Sequence, residues 1–99
     1  MIRSWGDSAT RRFAEGKKAR FSGIDEDAAA ELLAALEAAT SLKDLSPLKS
    51  VNLHKLAGDR RGFWAMTING PWRLCFRFRD GDAFEVQIVD YHTRKGQRR

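Results

Sequence analysis

The sequence predicts an α+β domain, in which helices in the first half pack on an antiparallel sheet formed by the second half. Apolar residues recur at helical spacing before residue 40, and the period changes to two after residue 50. Glycine-containing turn signals then separate successive strand patterns. Helices followed by an antiparallel meander are typical of α+β domains. A length of 99 residues suits one domain, which we assign to residues 1–92, followed by a basic tail at 93–99.

The first half of the chain contains two helix patterns after a short β-prone segment, Met1 to Trp5. Asp7 or Ser8 can cap a first helix that ends at Gly16. A second helix is predicted from Asp25 to about Ala39, because carboxylates occupy its first turn, where the helix dipole favours them. The apolar residues of this second helix form one stripe that we expect to pack against the sheet: Ala29, Leu32, Leu33 and Leu36.

The second half alternates between apolar and polar residues. Strands are predicted at 51–56 and 63–68, and Asn69-Gly70 is a strong hairpin signal before the next strand. That next strand has an apolar face of Trp72, Leu74, Phe76 and Phe78, and an opposite face of Arg73, Cys75, Arg77 and Arg79. After the turn at Asp80-Gly81-Asp82, the last strand is expected to carry Phe84, Val86 and Ile88 on one face.

The charge of the chain is unevenly distributed. The net charge is +5, and residues 51–99 hold the whole excess, with ten Lys and Arg against five Asp and Glu. A basic half suggests a polyanionic partner such as RNA, DNA or the ribosome, although ordinary solubilising charge explains the same balance. No apolar run reaches the roughly 18–20 residues that cross a bilayer, so no membrane is expected. One cysteine permits no internal disulfide, which fits the cytoplasm.

The arginine row predicts an anion-binding surface. If the apolar face lies under the helices, Arg73, Arg77 and Arg79 point into the open face of the sheet, where an anion would offset their repulsion. The alternative is a solvated face with cross-strand partners such as Glu85. Under the first interpretation, truncation of Arg73 weakens activity on a polyanionic partner and leaves the melting temperature near that of the wild type.

The end of the last strand carries three proton-handling groups in a row, Asp90, Tyr91 and His92, and the only other histidine is His54. RNA cleavage needs a base, an acid and cations around the phosphate, and histidine serves either proton role near neutral pH. Each residue also has a structural explanation, packing for His54 and Tyr91 and turn capping for Asp90. Two histidines and one cysteine at unrelated spacings form no zinc pattern. The chemistry alone leaves a nuclease and an RNA-binding module equally open.

Several stretches, in order, resemble the HigB family of toxins in the RelE-like superfamily of bacterial toxin–antitoxin systems. They are LHKLAGDRRGFW at 53–64, WRLCF at 72–76 and VDYH at 89–92, with MIRSW at 1–5 and LEAAT at 36–40. The resemblance implies the RelE-like microbial ribonuclease fold, with two N-terminal helices packed on a curved, mostly antiparallel sheet. It also implies a toxin that cleaves mRNA in the ribosomal A site, arrests growth in the bacterial cytoplasm and needs neither cofactor nor metal.

The resemblance implies partners and site residues as well. The partners are the ribosome, mRNA and a HigA-like helix-turn-helix antitoxin, and operator DNA is contacted only through the antitoxin complex. The family's active-site set falls on His54, Asp90, Tyr91 and His92, with Arg73 facing a phosphate. Arg77, Arg79 and Lys55 are further RNA-binding candidates. A non-catalytic RNA- or ribosome-binding module is the main alternative, and a protein whose basic face docks an acidic antitoxin segment is the other.

Overall fold

The computed structural model describes residues 1–17, 21–45 and 52–91 of the chain. Its helices are α1 (Ser8–Ala14) and α2 (Glu26–Ala38), and short 3-10 turns occupy Leu42–Asp44 and Gly58–Arg60. Its strands are β1 (His54–Lys55), β2 (Trp64–Asn69), β3 (Trp72–Arg79) and β4 (Asp82–Asp90). The candidate His92 and the basic tail at 93–99 lie outside the described residues. The strand predicted at 51–56 is reduced to the two residues of β1, and Val51 is not among those described.

Both helices begin where the sequence predicts. The Asp7 carboxylate accepts a hydrogen bond of 2.8 Å from the backbone N–H of Thr10, and the Asp25 carboxylate accepts one of 3.0 Å from Ala28. These side chains satisfy backbone donors that have no partner within the first turn of a helix. The predicted apolar stripe of α2 is buried in full: Ala29, Leu32, Leu33 and Leu36.

The four strands form an antiparallel meander in the order β1-β2-β3-β4. The hairpin between β2 and β3 turns at Gly70 and Pro71, as Asn69-Gly70 predicts. The N-terminal segment runs parallel to β4 and is bridged to it at Ile2–Ala83 and Trp5–Val86. This arrangement confirms the predicted α+β class and places the β-prone N-terminus along the outer strand.

The two sides of the sheet carry separate apolar clusters. We call the side covered by α1 and α2 the helix face and the opposite side the outer face. The larger cluster fills the helix face and contains fully buried Leu36, Leu74 and Phe76. A smaller cluster lies on the outer face, built on Phe63, Ala65 and Cys75, with Leu56, Val89 and Tyr91 packed against it. The outer face is therefore partly apolar, whereas the alternation pattern predicts an open polar surface.

A bulge in β4 corrects the prediction for the last strand. Cys75 pairs with Gln87 and Arg77 pairs with Phe84, so β4 has one extra residue between these pairs. Glu85 occupies that position with a φ of 53°, a left-handed conformation that bulges commonly use. Val86 and Ile88 belong to the helix-face core as expected, but Phe84 lies in the opposite phase, on the outer face. The prediction that Phe84 shares their face is wrong.

A buried hydroxyl joins α1 to β4. Thr10 is fully buried, and its Oγ1 accepts a 2.8 Å hydrogen bond from the backbone N–H of Ile88. Since the donor and the acceptor are both shielded from water, this bond satisfies groups that would otherwise be costly to bury. It holds the first helix beside the part of β4 that leads to Asp90 and Tyr91.

Candidate active site

Tyr91 and Arg73 form the centre of the candidate site on the outer face. The Arg73 guanidinium carbon lies 5.2 Å from the centre of the Tyr91 ring, within the range of a cation–π contact. Nη1 of Arg73 donates to the carbonyl oxygens of Gly70 at 2.6 Å and Trp72 at 3.0 Å. The backbone N–H of Tyr91 donates to the carbonyl of Pro71 at 2.8 Å. The β2–β3 hairpin and the end of β4 therefore hold the two side chains together.

The phenol of Tyr91 lies in a half-buried environment. Burial raises its pKa above 10.0, and the neighbouring Cys75 thiol raises it further, whereas the charges of Arg60 and Arg73 act in the opposite direction. Because the protonated phenol is favoured, Tyr91 is a hydrogen-bond donor at neutral pH. Tyr91 is thus a neutral phenol beside the Cys75 thiol and near the charges of Arg60 and Arg73.

His54 lies on the same face as Tyr91. It pairs with Ala65, an outer-face residue, and residues directly opposite each other in an antiparallel ladder project to the same side. Its Nδ1 lies 2.9 Å from the backbone carbonyl of Asn52. A carbonyl only accepts, so Nδ1 carries the proton and the other ring nitrogen, Nε2, has a lone pair in the neutral imidazole. That tautomer suits His54 to take a proton through Nε2.

Arg77 and Arg79 differ from Arg73 in their contacts. Arg77 stacks on Phe63 with 4.4 Å to the ring centre, and its Nε lies 3.1 Å from Glu85 Oε2. The cross-strand partner proposed for the solvated alternative is therefore present at Arg77. Arg79 stacks on Phe84 at 4.5 Å and has no ion pair or hydrogen bond with the described residues.

Two predicted site residues are placed on the helix-face side of the sheet. Lys55 pairs with Trp64, whose ring packs against the helix-face core, and the Lys55 ammonium lies 5.8 Å from that ring. Asp90 pairs with Trp72, a helix-face residue, so it projects to the helix-face side of the sheet. The structure thus places Tyr91 and Arg73 in contact, with His54 on the same face of the sheet. Lys55 and Asp90 project to the opposite side of the sheet, and His92 lies outside the described residues.

A comparison with known protein families matches nearly the whole length of the chain. A family model described as the RelE-like toxin HigB of type II toxin–antitoxin systems matches residues 3–92. The chain belongs to the HigB-like toxins. A relative from Proteus vulgaris, named endoribonuclease HigB, is 35% identical over 93 residues, which are 93% of this chain and 100% of that protein. The resemblance of the sequence to this family is confirmed.

A solved structure supports the fold of this HigB-like toxin. The crystal structure of a histidine-to-glutamine mutant of YafQ from E. coli superimposes with a TM-score of 0.62. The match covers 94% of each chain at 17% sequence identity. At that identity the likeness concerns the fold alone, and it agrees with the predicted helices on an antiparallel sheet. As a member of a type II family, the toxin has an antitoxin as its partner.

Arg60 is a residue of the site that the strand patterns miss. It ends the short 3-10 turn Gly58–Arg60, and its guanidinium carbon lies 5.4 Å from the centre of the Phe63 ring. Its charge is close enough to Tyr91 to lower the pKa of the phenol. No alternation applies in a loop, so only the position of Arg60 inside the family-like LHKLAGDRRGFW stretch could have pointed to it.

The described residues include no group of three or more His, Cys, Asp and Glu side chains placed to hold a metal ion. In the same parts of the chain, neither helix is long and apolar enough to cross a membrane. The side chains described on the outer face include cations, a phenol and an imidazole.

Proposed function

We propose that this HigB-like toxin is an endoribonuclease that cleaves mRNA on the ribosome and thereby stops translation and growth in the bacterial cytoplasm. The observation that carries the proposal is the pairing of Tyr91 with Arg73 on the outer face, on the same side as His54. The P. vulgaris relative, which the chain matches over that protein's full length, is named an endoribonuclease. This relationship supports the same activity here.

The proposed reaction is a transfer within the RNA backbone. The 2′-oxygen attacks the adjacent phosphorus, and the bond from phosphorus to the 5′-oxygen of the next nucleotide breaks. A base takes the proton of the 2′-hydroxyl, an acid gives a proton to the leaving 5′-oxygen, and the products are a 2′,3′-cyclic phosphate and a 5′-hydroxyl. The ribose supplies the nucleophile, so no water molecule attacks the phosphorus in this step.

We assign roles to the described residues from their contacts, and to His92 from the resemblance to the toxin family. His54 is the base, because Asn52 holds its Nδ1 and Nε2 can accept a proton. Tyr91 donates a hydrogen bond to a phosphate oxygen, and Arg73 stabilises the negative charge that develops there. His92 completes the set as the acid, and Asp90, two residues before it, orients that histidine. Arg79 is a further RNA contact.

The proposed partners follow from the toxin family. A HigA-like helix-turn-helix antitoxin neutralises the toxin, and the complex binds operator DNA through the antitoxin. The ribosomal A site presents the mRNA to the outer face, where Arg60, Arg73 and Arg79 carry positive charge. Salt-sensitive binding to the ribosome is expected, because contacts with phosphates release counterions.

Cleavage on programmed ribosomes tests the proposal. Purified toxin should cut mRNA at mapped positions and leave cyclic phosphate ends, with ribosome integrity maintained in magnesium buffer. His54→Ala and His92→Ala should each abolish the cuts while their circular dichroism spectra and melting temperatures remain close to the wild type. Full activity of both variants would remove the assigned acid–base pair.

The binding-module alternative predicts a different set of results. Such a protein would bind ribosomes in a salt-sensitive way, release no cleavage product and lose little on alteration of either histidine. Expression of the chain alone, without its antitoxin, is the second arm of the test. Absence of growth arrest together with intact mRNA would overturn the toxin activity.

A further inference from the structure

We propose that Arg60 and Arg73 act together as a clamp of two guanidinium groups that holds the phosphate to be cleaved beside Tyr91. This inference rests on the proposed nuclease function and adds a residue, Arg60, to its site. The two arginines come from different parts of the fold, a 3-10 turn and the start of β3. Their separate anchoring lets them approach one anion from two directions.

The position of Arg60 is fixed by its surroundings. Its carbonyl accepts a 2.9 Å hydrogen bond from the backbone N–H of Phe63, and the N–H of Leu56 donates to the carbonyl of Phe63 at 2.9 Å. The guanidinium stands over the Phe63 ring, and Phe63 belongs to the apolar cluster against which Tyr91 packs. The turn and the ring therefore hold Arg60 beside the apolar cluster that contains Tyr91, close enough for its charge to act on the phenol.

The donors of Arg60 remain available to a ligand. Among the residues that the structure describes, its guanidinium has a ring contact but no ion pair and no hydrogen bond. Arg77 stacks on the same Phe63 ring, yet Glu85 neutralises it through an ion pair of 3.1 Å. Of the two arginines that share this ring, Arg60 is thus the one that offers an uncompensated charge.

A phosphate is the ligand that this arrangement fits. A guanidinium presents planar pairs of N–H donors that match two phosphate oxygens, and Arg73 has already used Nη1 on the hairpin carbonyls. A second guanidinium adds donors to those that the hairpin leaves free on Arg73. The neutral phenol of Tyr91 lies near both charges and adds no negative charge of its own, because burial keeps its pKa raised.

The neighbouring Arg61 provides a matched control. Arg61 has the same charge and is exposed. It directly follows the same turn, and its backbone N–H donates to the carbonyl of Gly58 at 3.1 Å. In the part of the chain that the structure describes, the Arg61 guanidinium does not contact the Phe63 ring. A general loss of positive charge should affect Arg60 and Arg61 variants equally, whereas loss of the clamp should affect only Arg60.

The first test compares cleavage by Arg60→Gln, Arg60→Lys and Arg61→Gln on programmed ribosomes. We expect Arg60→Gln to lower the cleavage rate on the order of 10²-fold, as loss of one preorganised donor does. Arg60→Lys should recover part of the rate, and Arg61→Gln should cleave like the wild type. Equal rates for both glutamine variants, with an active wild-type toxin, would overturn the clamp and leave the nuclease function standing.

The second test needs no cleavage, because Tyr91 is the only tyrosine in the chain. The absorbance of the tyrosinate ion during an alkaline titration therefore reports one residue. Arg60→Gln should raise the pKa of Tyr91, Arg61→Gln should not, and inorganic phosphate should raise it in the wild type but much less in Arg60→Gln. A Tyr91 pKa that responds neither to Arg60→Gln nor to phosphate would overturn the clamp, even if the wild type cleaves RNA.

Discussion

Arg73 touches Tyr91 through its guanidinium plane while one nitrogen of the same group donates to the carbonyls of Gly70 and Trp72. The side chain that is expected to face the substrate therefore also closes the β2–β3 hairpin. Its charge can act on a phosphate only through the nitrogens that the hairpin leaves free. A loss of activity on changing Arg73 consequently has two possible origins, and these must be separated.

Arg73→Ala should lower both stability and cleavage. Two hydrogen bonds from a charged donor on a half-exposed side chain contribute about 1–2 kcal/mol to the free energy of unfolding. This differs from the alternation pattern, which predicts an unchanged melting temperature. Urea denaturation measures the loss, and cleavage per folded molecule measures the catalytic part. A melting temperature identical to that of the wild type would show that the hairpin bonds contribute nothing.

Tyr91→Phe separates the hydroxyl from the ring. The ring still supports Arg73 and the outer-face cluster, so the melting temperature should stay close to that of the wild type. Cleavage should fall, since the hydrogen-bond donor to the phosphate is lost. Tyr91→Ala should lower both. Undiminished cleavage by Tyr91→Phe would limit the role of Tyr91 to packing.

Thr10→Val should destabilise the domain without changing the site. Valine has the shape of threonine, but it leaves the buried N–H of Ile88 without its acceptor, at a cost of about 1–3 kcal/mol. Thr10→Ser keeps the acceptor and loses only a methyl group. Thermal unfolding should rank the three proteins wild type, Ser, Val. The reverse order of the two variants would mean that methyl packing outweighs the hydrogen bond.

Gly62→Ala tests the close approach of Arg77. A Cβ at Gly62 would lie 2.5 Å from Nη1 of Arg77, and the residue has a φ of +92°. Gly16, with a φ of +87° and no described atom within 4 Å of such a Cβ, is the control. Gly16→Ala should cost about 1–2 kcal/mol from backbone strain alone, and Gly62→Ala should cost slightly more, because the end of the flexible Arg77 side chain has to move away. Chemical denaturation gives the difference, which reports the displacement of Arg77.

Asp44 should make part of the stability sensitive to acid. Hydrogen bonds from the backbone N–H groups of Thr40 and Ser41 and from the Thr40 hydroxyl lower its pKa. A lowered pKa in the folded state contributes stability that is present above about pH 4 and is lost as the pH falls through the folded value. Asp44→Ala should therefore narrow its gap to the wild type on acidification. Melting curves between neutral pH and about pH 3 measure this, and a constant gap would contradict it.

The helices and the hairpin could be predicted because their signals are local. Asp7, Asp25 and Asn69-Gly70 act on the backbone within three or four residues, and the structure confirms the elements that they predict. The buried stripe of α2 followed from spacing alone. Such patterns need no knowledge of what lies on the other side of the molecule.

The outer face could not be predicted as well, because its layout depends on contacts between elements distant in sequence. The alternation pattern places Cys75 on the polar face of β3, yet Phe63 and Tyr91 bury it. A period-two pattern also gives no warning of the bulge, since Glu85 is not a residue that ordinarily signals a positive φ. Arg60 lies in a loop, where its neighbours in space cannot be read from alternation.

The extra residue at Glu85 decides which surface of the protein carries Tyr91. Strict alternation from buried Ala83 would turn residue 91 inwards, beneath the helices, and the insertion reverses the phase for the rest of β4. A regular ladder through Glu85, without the bulge, would leave every residue of the candidate site in the sequence, but it would turn Tyr91 away from Arg73 and expose Val86 and Ile88. The position of Tyr91 beside Arg73 thus depends on a backbone irregularity six residues upstream of it.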